Sequence, residues 1–192
     1  MADQLDLTPV ARRLAVVVAS VPDDALAAPT PCGDYTVGDL LDHIGGLTVA
    51  FTRAAKKDLG EAGSPPVGDA ANLGGDWRSR IVGDLDDLAD AWQQSDAWEG
   101  MTRAGGIDMP GEIAGVVVAD ELLVHGWDLA RAVGQDFESD DATADAALGF
   151  FSMFADSDRG DAFGPAVAVP ESASKLDRVV ASSGRDPNWS AG

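Results

Sequence analysis

The sequence has 192 residues, 45% of them hydrophobic and 24% charged, with 33 acidic against 13 basic side chains and a formal charge of -20. A chain of this length suits one domain, residues 1–192, burying about 70% of the surface that its unfolded form exposes. The acidic excess repels nucleic-acid phosphates and anionic lipid, so neither a nucleic acid nor a membrane is expected as a partner.

In chain order, Leu7, Val10, Leu14, Val17 and Val21 recur at helical spacing and predict an amphipathic helix over residues 5–21. That spacing, with Asp3 and Asp6 upstream, argues against reading Arg12-Arg13 and the apolar run behind it as an export signal, so the expected compartment is the cytoplasm. A loop over 22–35 then delivers the chain to a second helix, about residues 37–57, with Thr36 as its N-cap and Asp39 in its first turn. His43 projects from the centre of the sector that holds Leu40, Leu47, Ala50 and Ala54. Gly45 and Gly46 cost about 1 kcal/mol each against alanine inside a helix, and a close helix approach or substrate clearance would account for Gly46. The single cysteine, Cys32, excludes an intramolecular disulfide. It reads as a partly buried structural side chain, with a thiol activated near a helix start as the alternative.

Leu59 to Gly75 is a long loop, and a third helix follows from Trp77 to Gln94 with Ile81, Leu85, Leu88 and Trp92 inward. Asp84, Asp86, Asp87 and Asp90 give it a solvated acidic face. Trp98 to Pro110 is open between a hairpin and an irregular crossover. The fourth helix starts near Pro110 and ends at Gly134. On it, Glu121 and His125 are four residues apart and share a face, with His125 in the sector of Val118, Leu122 and Leu129. A buried carboxylate beside a buried imidazole needs a partner, and this spacing presents two ligands to one divalent metal. The chain has only two histidines, and both face inward from different helices, which predicts a His43, Glu121, His125 metal site. Trp127 points away from that face and needs cover from the C-terminal tail or from a second subunit, so a homodimer is one expectation. A fifth helix over Thr143–Ala155 carries Leu148, Phe150, Phe151, Met153 and Phe154 as core, and the tail adds a helical turn around Leu176–Val180.

Thr30-Pro31-Cys32-Gly33-Asp34-Tyr35-Thr36-Val37 leading into Asp39-Leu40-Leu41-Asp42-His43 resembles the metal-binding signature of the DinB-like superfamily, as does Glu121-Leu122-Leu123-Val124-His125-Gly126-Trp127-Asp128-Leu129-Ala130. The nearest branch is that of the mycothiol-dependent maleylpyruvate isomerase N-terminal domain. Gly184-Arg185-Asp186-Pro187 with Trp189 is similar to the ending of its short members. The resemblance implies an all-α, up-down four-helix bundle, here with an extra C-terminal helical segment. It also implies that His43, Glu121 and His125 ligate a divalent metal, zinc first, with nickel or iron(II) as alternatives. Mycothiol or a similar low-molecular-weight thiol, activated on that metal, would be transferred to a small electrophilic substrate or would isomerise it. The isomerase also has a second domain that contributes an arginine, with no counterpart expected before Gly192, so thiol chemistry is expected rather than maleylpyruvate isomerisation itself. The competing expectations are a non-catalytic metal-binding bundle, such as a stress or sensor protein, and a metal-dependent hydrolase.

No general acid is identifiable in the sequence. Asp128 is expected to anchor the helix or support a ligand. Arg185 is expected either to receive an anionic ligand or to pair with Asp128, against the alternative of a solvated arginine in a surface turn. Arg131 is a second basic group for the mouth of the site.

Overall fold

Helical periodicity becomes seven α-helices among the described residues of the computed structural model, which are 4–33, 35–58, 65–154 and 163–191. They are α1 (Thr8–Ser20), α2 (Val37–Ala55), α3 (Trp77–Trp92), α4 (Ser95–Trp98), α5 (Gly111–Ala132), α6 (Asp141–Phe151) and α7 (Lys175–Ser182). The sheet among these residues is a hairpin, β1 (Met101–Ala104) against β2 (Ile107–Pro110), so the fold is all-α. Gly105 and Gly106, at φ +56° and +80°, make the two-residue turn that only residues tolerant of positive φ allow. This settles the ambiguous segment as a hairpin preceded by one short helical turn.

Local chemistry sets the helix ends, usually inside the predicted bounds. Pro9 sits in the first turn of α1, which starts three residues later than expected. At α2 the Thr36 hydroxyl accepts from the Asp39 amide at 3.3 Å and the Asp39 carboxylate accepts from the Thr36 amide at 3.0 Å, a reciprocal cap. Lys57, at φ +55°, lies beyond the end of α2 rather than within it. Gly134, at φ +69°, follows the last turn of α5 as expected. The fifth predicted helix shifts to begin at Asp141, because Asp140 accepts from the Thr143 amide and caps it; the expected end, Ala155, lies outside the described residues.

Helices α3 and α5 each pack on both α1 and α2, while α6 lies on α5 and α7 on α6 and α5. Leu14, Leu40, Leu41, Ile44, Ile81, Leu85, Leu88, Leu123 and Leu129 are fully enclosed between them. Residues 122–130 of α5 are buried all the way round, as befits a helix with neighbours on every side. Trp127 is therefore buried within the single chain, with the Arg131 guanidinium 5.9 Å from its ring centroid. The Arg131 guanidinium also donates to the Trp189 carbonyl at 2.7 Å, tying the tail to this face. Gly45 and Gly46 of α2 are both close-approach positions: a Cβ on Gly45 would press on Ile81 of α3, and one on Gly46 would meet Pro66 at 2.7 Å. Among the described residues no helix is long and apolar enough to cross a membrane.

Candidate metal centre

Helix α2 contributes His43 and helix α5 contributes Glu121 and His125, and one donor atom from each lies within 4.8 Å of the other two. His125 Nε2 is 3.0 Å from a Glu121 carboxylate oxygen, and the two imidazole rings stand nearly perpendicular with centroids 4.9 Å apart. The four-residue spacing on α5 does locally what the packing of α2 against α5 completes across the fold.

The far nitrogen of each ring is held by a group that only accepts. His43 Nδ1 lies 2.8 Å from the Pro66 carbonyl, so that nitrogen carries the hydrogen and Nε2 keeps its lone pair. His125 Nδ1 lies 3.1 Å from Asp128 Oδ2, so that nitrogen too carries a hydrogen, while its Nε2 faces the Glu121 carboxylate at 3.0 Å and carries one until a metal displaces it. Backbone carbonyls and carboxylates are the usual supports of metal-ligating histidines, fixing tautomer and ring orientation together.

Pro66 reaches His43 because residues 65–70 strap across the start of α2. The Gly68 amide donates to the Tyr35 hydroxyl at 3.1 Å, the Asp69 amide to Asp42 at 3.1 Å and the Ala70 amide to Asp39 at 2.8 Å. A Cβ on Gly68 would collide with the Asp39 carbonyl oxygen, so the strap sits this low only with glycine there. Tyr35 also packs its ring 5.4 Å from that of His43.

The surroundings set the protonation of each donor. Burial, helped by the nearby His125, holds His43 below its ordinary pKa and keeps it neutral, the form that can ligate. Burial alone would raise Glu121, but the hydrogen bond and charge of His125 outweigh it and bring it below the ordinary value, so it is a carboxylate. For His125, burial opposes the charged form, yet hydrogen bonds with Asp128, Cys32 and Glu121 win and push it well up, so a metal at Nε2 would bind in exchange for the proton shared with Glu121. Asp120, the neighbour of Glu121, is buried and pushed well up by that burial; its Oδ1 has no hydrogen-bond partner among the described residues.

Two imidazole nitrogens and one carboxylate oxygen form the donor set of a catalytic zinc site, which leaves a position for water or substrate. Glu121 is the open edge, its side chain 28% exposed against 9% for His125. The donors present therefore fit a divalent metal of the zinc type.

A second group adjoins the first on the other side of the His125 ring: Cys32, His125 and Asp128 also bring donor atoms within 4.8 Å of one another. Here Arg185 is inserted. Its Nη2 is 3.1 Å from Asp128 Oδ2 and 3.5 Å from Cys32 Sγ, its Nε is 3.4 Å from Asp128 Oδ1, and its Nη1 donates to the Ser183 carbonyl at 3.1 Å. A cavity of about 410 Å³ opens beside Cys32, Tyr35, Gly184 and Arg185.

His43, Glu121, His125, Asp128 and Arg185 thus converge in one region. The solvated-turn alternative for Arg185 is overturned: its side chain is only 15% exposed because it is drawn onto a fully buried carboxylate. Arg131 does not join them; it is turned to the tail and to Trp127. Sequence reasoning undervalued Cys32 and did not find the strap, Tyr35 or Asp120. The Pro-Gly pairing in the loop was the available signal for a tight backbone approach, whereas a backbone carbonyl that supports a histidine leaves no side-chain signature at all.

These features define a class: an all-α protein that gathers two supported histidines and a carboxylate from two packed helices. The family described as the mycothiol maleylpyruvate isomerase N-terminal domain matches residues 7–130, and the chain belongs to it. Two uncharacterized proteins from two strains of Mycobacterium tuberculosis are each similar at 27% identity over 129 residues, which is 66% of this chain and 64% of theirs. The chain thus spans a little under two thirds of the length of the curated relatives it matches. No solved structure matches it.

Proposed function

We propose that the protein is a metal-dependent enzyme that activates a low-molecular-weight thiol, mycothiol or a close analogue, for transfer to a small electrophile or for its isomerisation. The observation that carries this reading is the pair of supported histidines. Pro66 and Asp128 each take the Nδ1 hydrogen, so that Nε2 of His43 and of His125, with the Glu121 carboxylate, is left to hold one divalent metal, zinc first. We read the pairwise packing of α1, α2, α3 and α5 as the up-down four-helix bundle of the DinB-like proteins, with α6 and α7 as additions.

A metal bound there would supply the positive charge that holds a thiol as its thiolate near neutral pH. The protein's own side chains do the rest. Glu121 lies at the exposed edge and leaves room for an incoming thiol on that side. Asp128, enclosed and held by Arg185, keeps the His125 ring oriented. The strap and Tyr35 cover His43 and keep water from its far side. Membership of the mycothiol-associated family favours the thiol over water as the activated group. A cytoplasmic setting, where such thiols are kept reduced, goes with this reading.

The test is proton release. Zinc-loaded protein in weakly buffered solution is mixed with mycothiol, and the expected result is loss of a proton per chain at pH 7 that is absent in His43→Ala. Stoichiometric metal without thiol binding would favour the non-catalytic bundle, and turnover of an ester or amide without thiol would favour the hydrolase.

A further inference from the structure

His125 has donor groups on both sides of its ring. On the Nε2 side are Glu121 and His43, on the Nδ1 side Asp128 and Cys32, and each pair with His125 brings three donor atoms within 4.8 Å of one another. By composition alone the Nδ1 side is the stronger trap, since a thiolate, an imidazole and a carboxylate are all ligands for zinc-like ions. One thing separates the two sides: the Nδ1 side already holds a cation. Arg185 grips both oxygens of the fully buried Asp128, at 3.1 and 3.4 Å, and reaches Cys32 Sγ at 3.5 Å.

A guanidinium in that position has two consequences. It fixes the Asp128 carboxylate by a two-point grip, which leaves Oδ2 aimed to accept the His125 Nδ1 hydrogen and so presents Nε2 to the other side. It also sets a positive charge against two of the three donors a metal would need, so a divalent ion on the Nδ1 side would have to bind beside a like charge in a poorly solvated place. We infer that Arg185 is a positioning residue that decides which face of His125 takes the metal: it turns Nε2 toward His43 and Glu121 and keeps a second metal out of the Cys32–Asp128 group. The inference rests on the reading of His43, Glu121 and His125 as the metal centre. Arg185 lies 57 residues beyond Asp128 and outside the segment that matches the family, so nothing in the match assigns it. The tail brings it there through α7 and the turn at Gly184, where φ is +86° and the backbone runs against Gly164 so closely that a Cβ would lie 2.8 Å from the Gly164 Cα.

The experiment is a cobalt(II) titration of the full chain, followed by visible absorbance and by nitrogen NMR of the His125 ring. Wild type is expected to take one ion per chain with no thiolate-to-cobalt charge transfer. Arg185→Gln keeps an amide donor for Asp128 but removes the charge. It is expected to weaken the first ion by roughly 10–100-fold, as loss of a support to a ligating histidine does. It is also expected to gain a second ion with a charge-transfer band, which Cys32→Ser abolishes. Recorded on metal-free protein at a pH high enough for the ring to be neutral, the NMR should report the Nδ1–H tautomer of His125 in wild type and a mixture in Arg185→Gln. A charge-transfer band in wild type, or an Arg185→Gln protein with wild-type stoichiometry, affinity and tautomer, overturns the inference. Should the glutamine variant not fold, Arg185→Lys answers instead: a point charge without the fork should preserve the single ion but weaken it severalfold, and unchanged affinity overturns the positioning role. Wild type that takes no cobalt at all defeats the metal centre rather than the hold of Arg185 on Asp128, which the tautomer measurement tests separately.

Discussion

His43 and His125 are oriented by two very different acceptors, a loop carbonyl and a buried carboxylate, and the first depends on a residue that never touches the ring. Gly68 lets residues 65–70 lie close enough on α2 for Pro66 to reach His43 Nδ1 at 2.8 Å, and a Cβ there would strike the Asp39 carbonyl. Gly68→Ala is therefore expected to lift the strap, free the His43 tautomer and weaken zinc binding by roughly 10–100-fold while leaving helical circular dichroism intact. Competition with a chromophoric chelator measures this, and unchanged zinc affinity would mean the strap does not support the site. That strap was not legible in the sequence. A carbonyl contact depends on where the backbone passes, and only the Pro66 and Gly68 punctuation hinted that it passes close. Glu121 and His125 were legible because their relation is local to one helix, and a four-residue spacing fixes a shared face whatever the rest of the chain does.

At the scale of elements, α2 carries the histidine and also the clasp for the strap, and Asp39 joins the two. One of its oxygens accepts from the Thr36 amide in the reciprocal cap, and the other accepts from the Ala70 amide at 2.8 Å. The Thr36 hydroxyl and the Ala70 and Thr36 amides lower its pKa below 3.8. A carboxylate depressed in the folded state stabilises fully above its unfolded value, and that contribution is lost as pH falls through the lower, folded value. Thr36→Ala is accordingly expected to cost about 1 kcal/mol near neutral pH in urea unfolding. The difference between wild type and Asp39→Asn should narrow as pH drops well below 3.8; a gap that stays constant across that range would show that the charge of Asp39 is not what clasps cap and strap. The Thr36 cap and the apolar face of α2 could be read from the sequence directly. The end of α2 could not, because Lys57 takes a positive φ that its residue type does not announce.

At the scale of the molecule, the site exists because α2 and α5 meet and because the tail closes over α5. The helical class and the inward histidines followed from periodicity, since a core-facing sector is a property of each helix taken alone. Which side of His125 faces which partner did not, because Cys32, Asp128 and Arg185 come from three distant places and are joined only by the fold. The acidic surface adds to the logic: with a formal charge of -20, the chain draws cations in general, so selectivity for one bound ion has to come from the donor geometry rather than from the net field. Metal analysis of the purified protein alongside His43→Ala and His125→Ala bears most directly on this. One zinc-type ion per chain in wild type, lost in both variants while the helical spectrum is retained, is the expected result. Stoichiometric metal in both variants would contradict it.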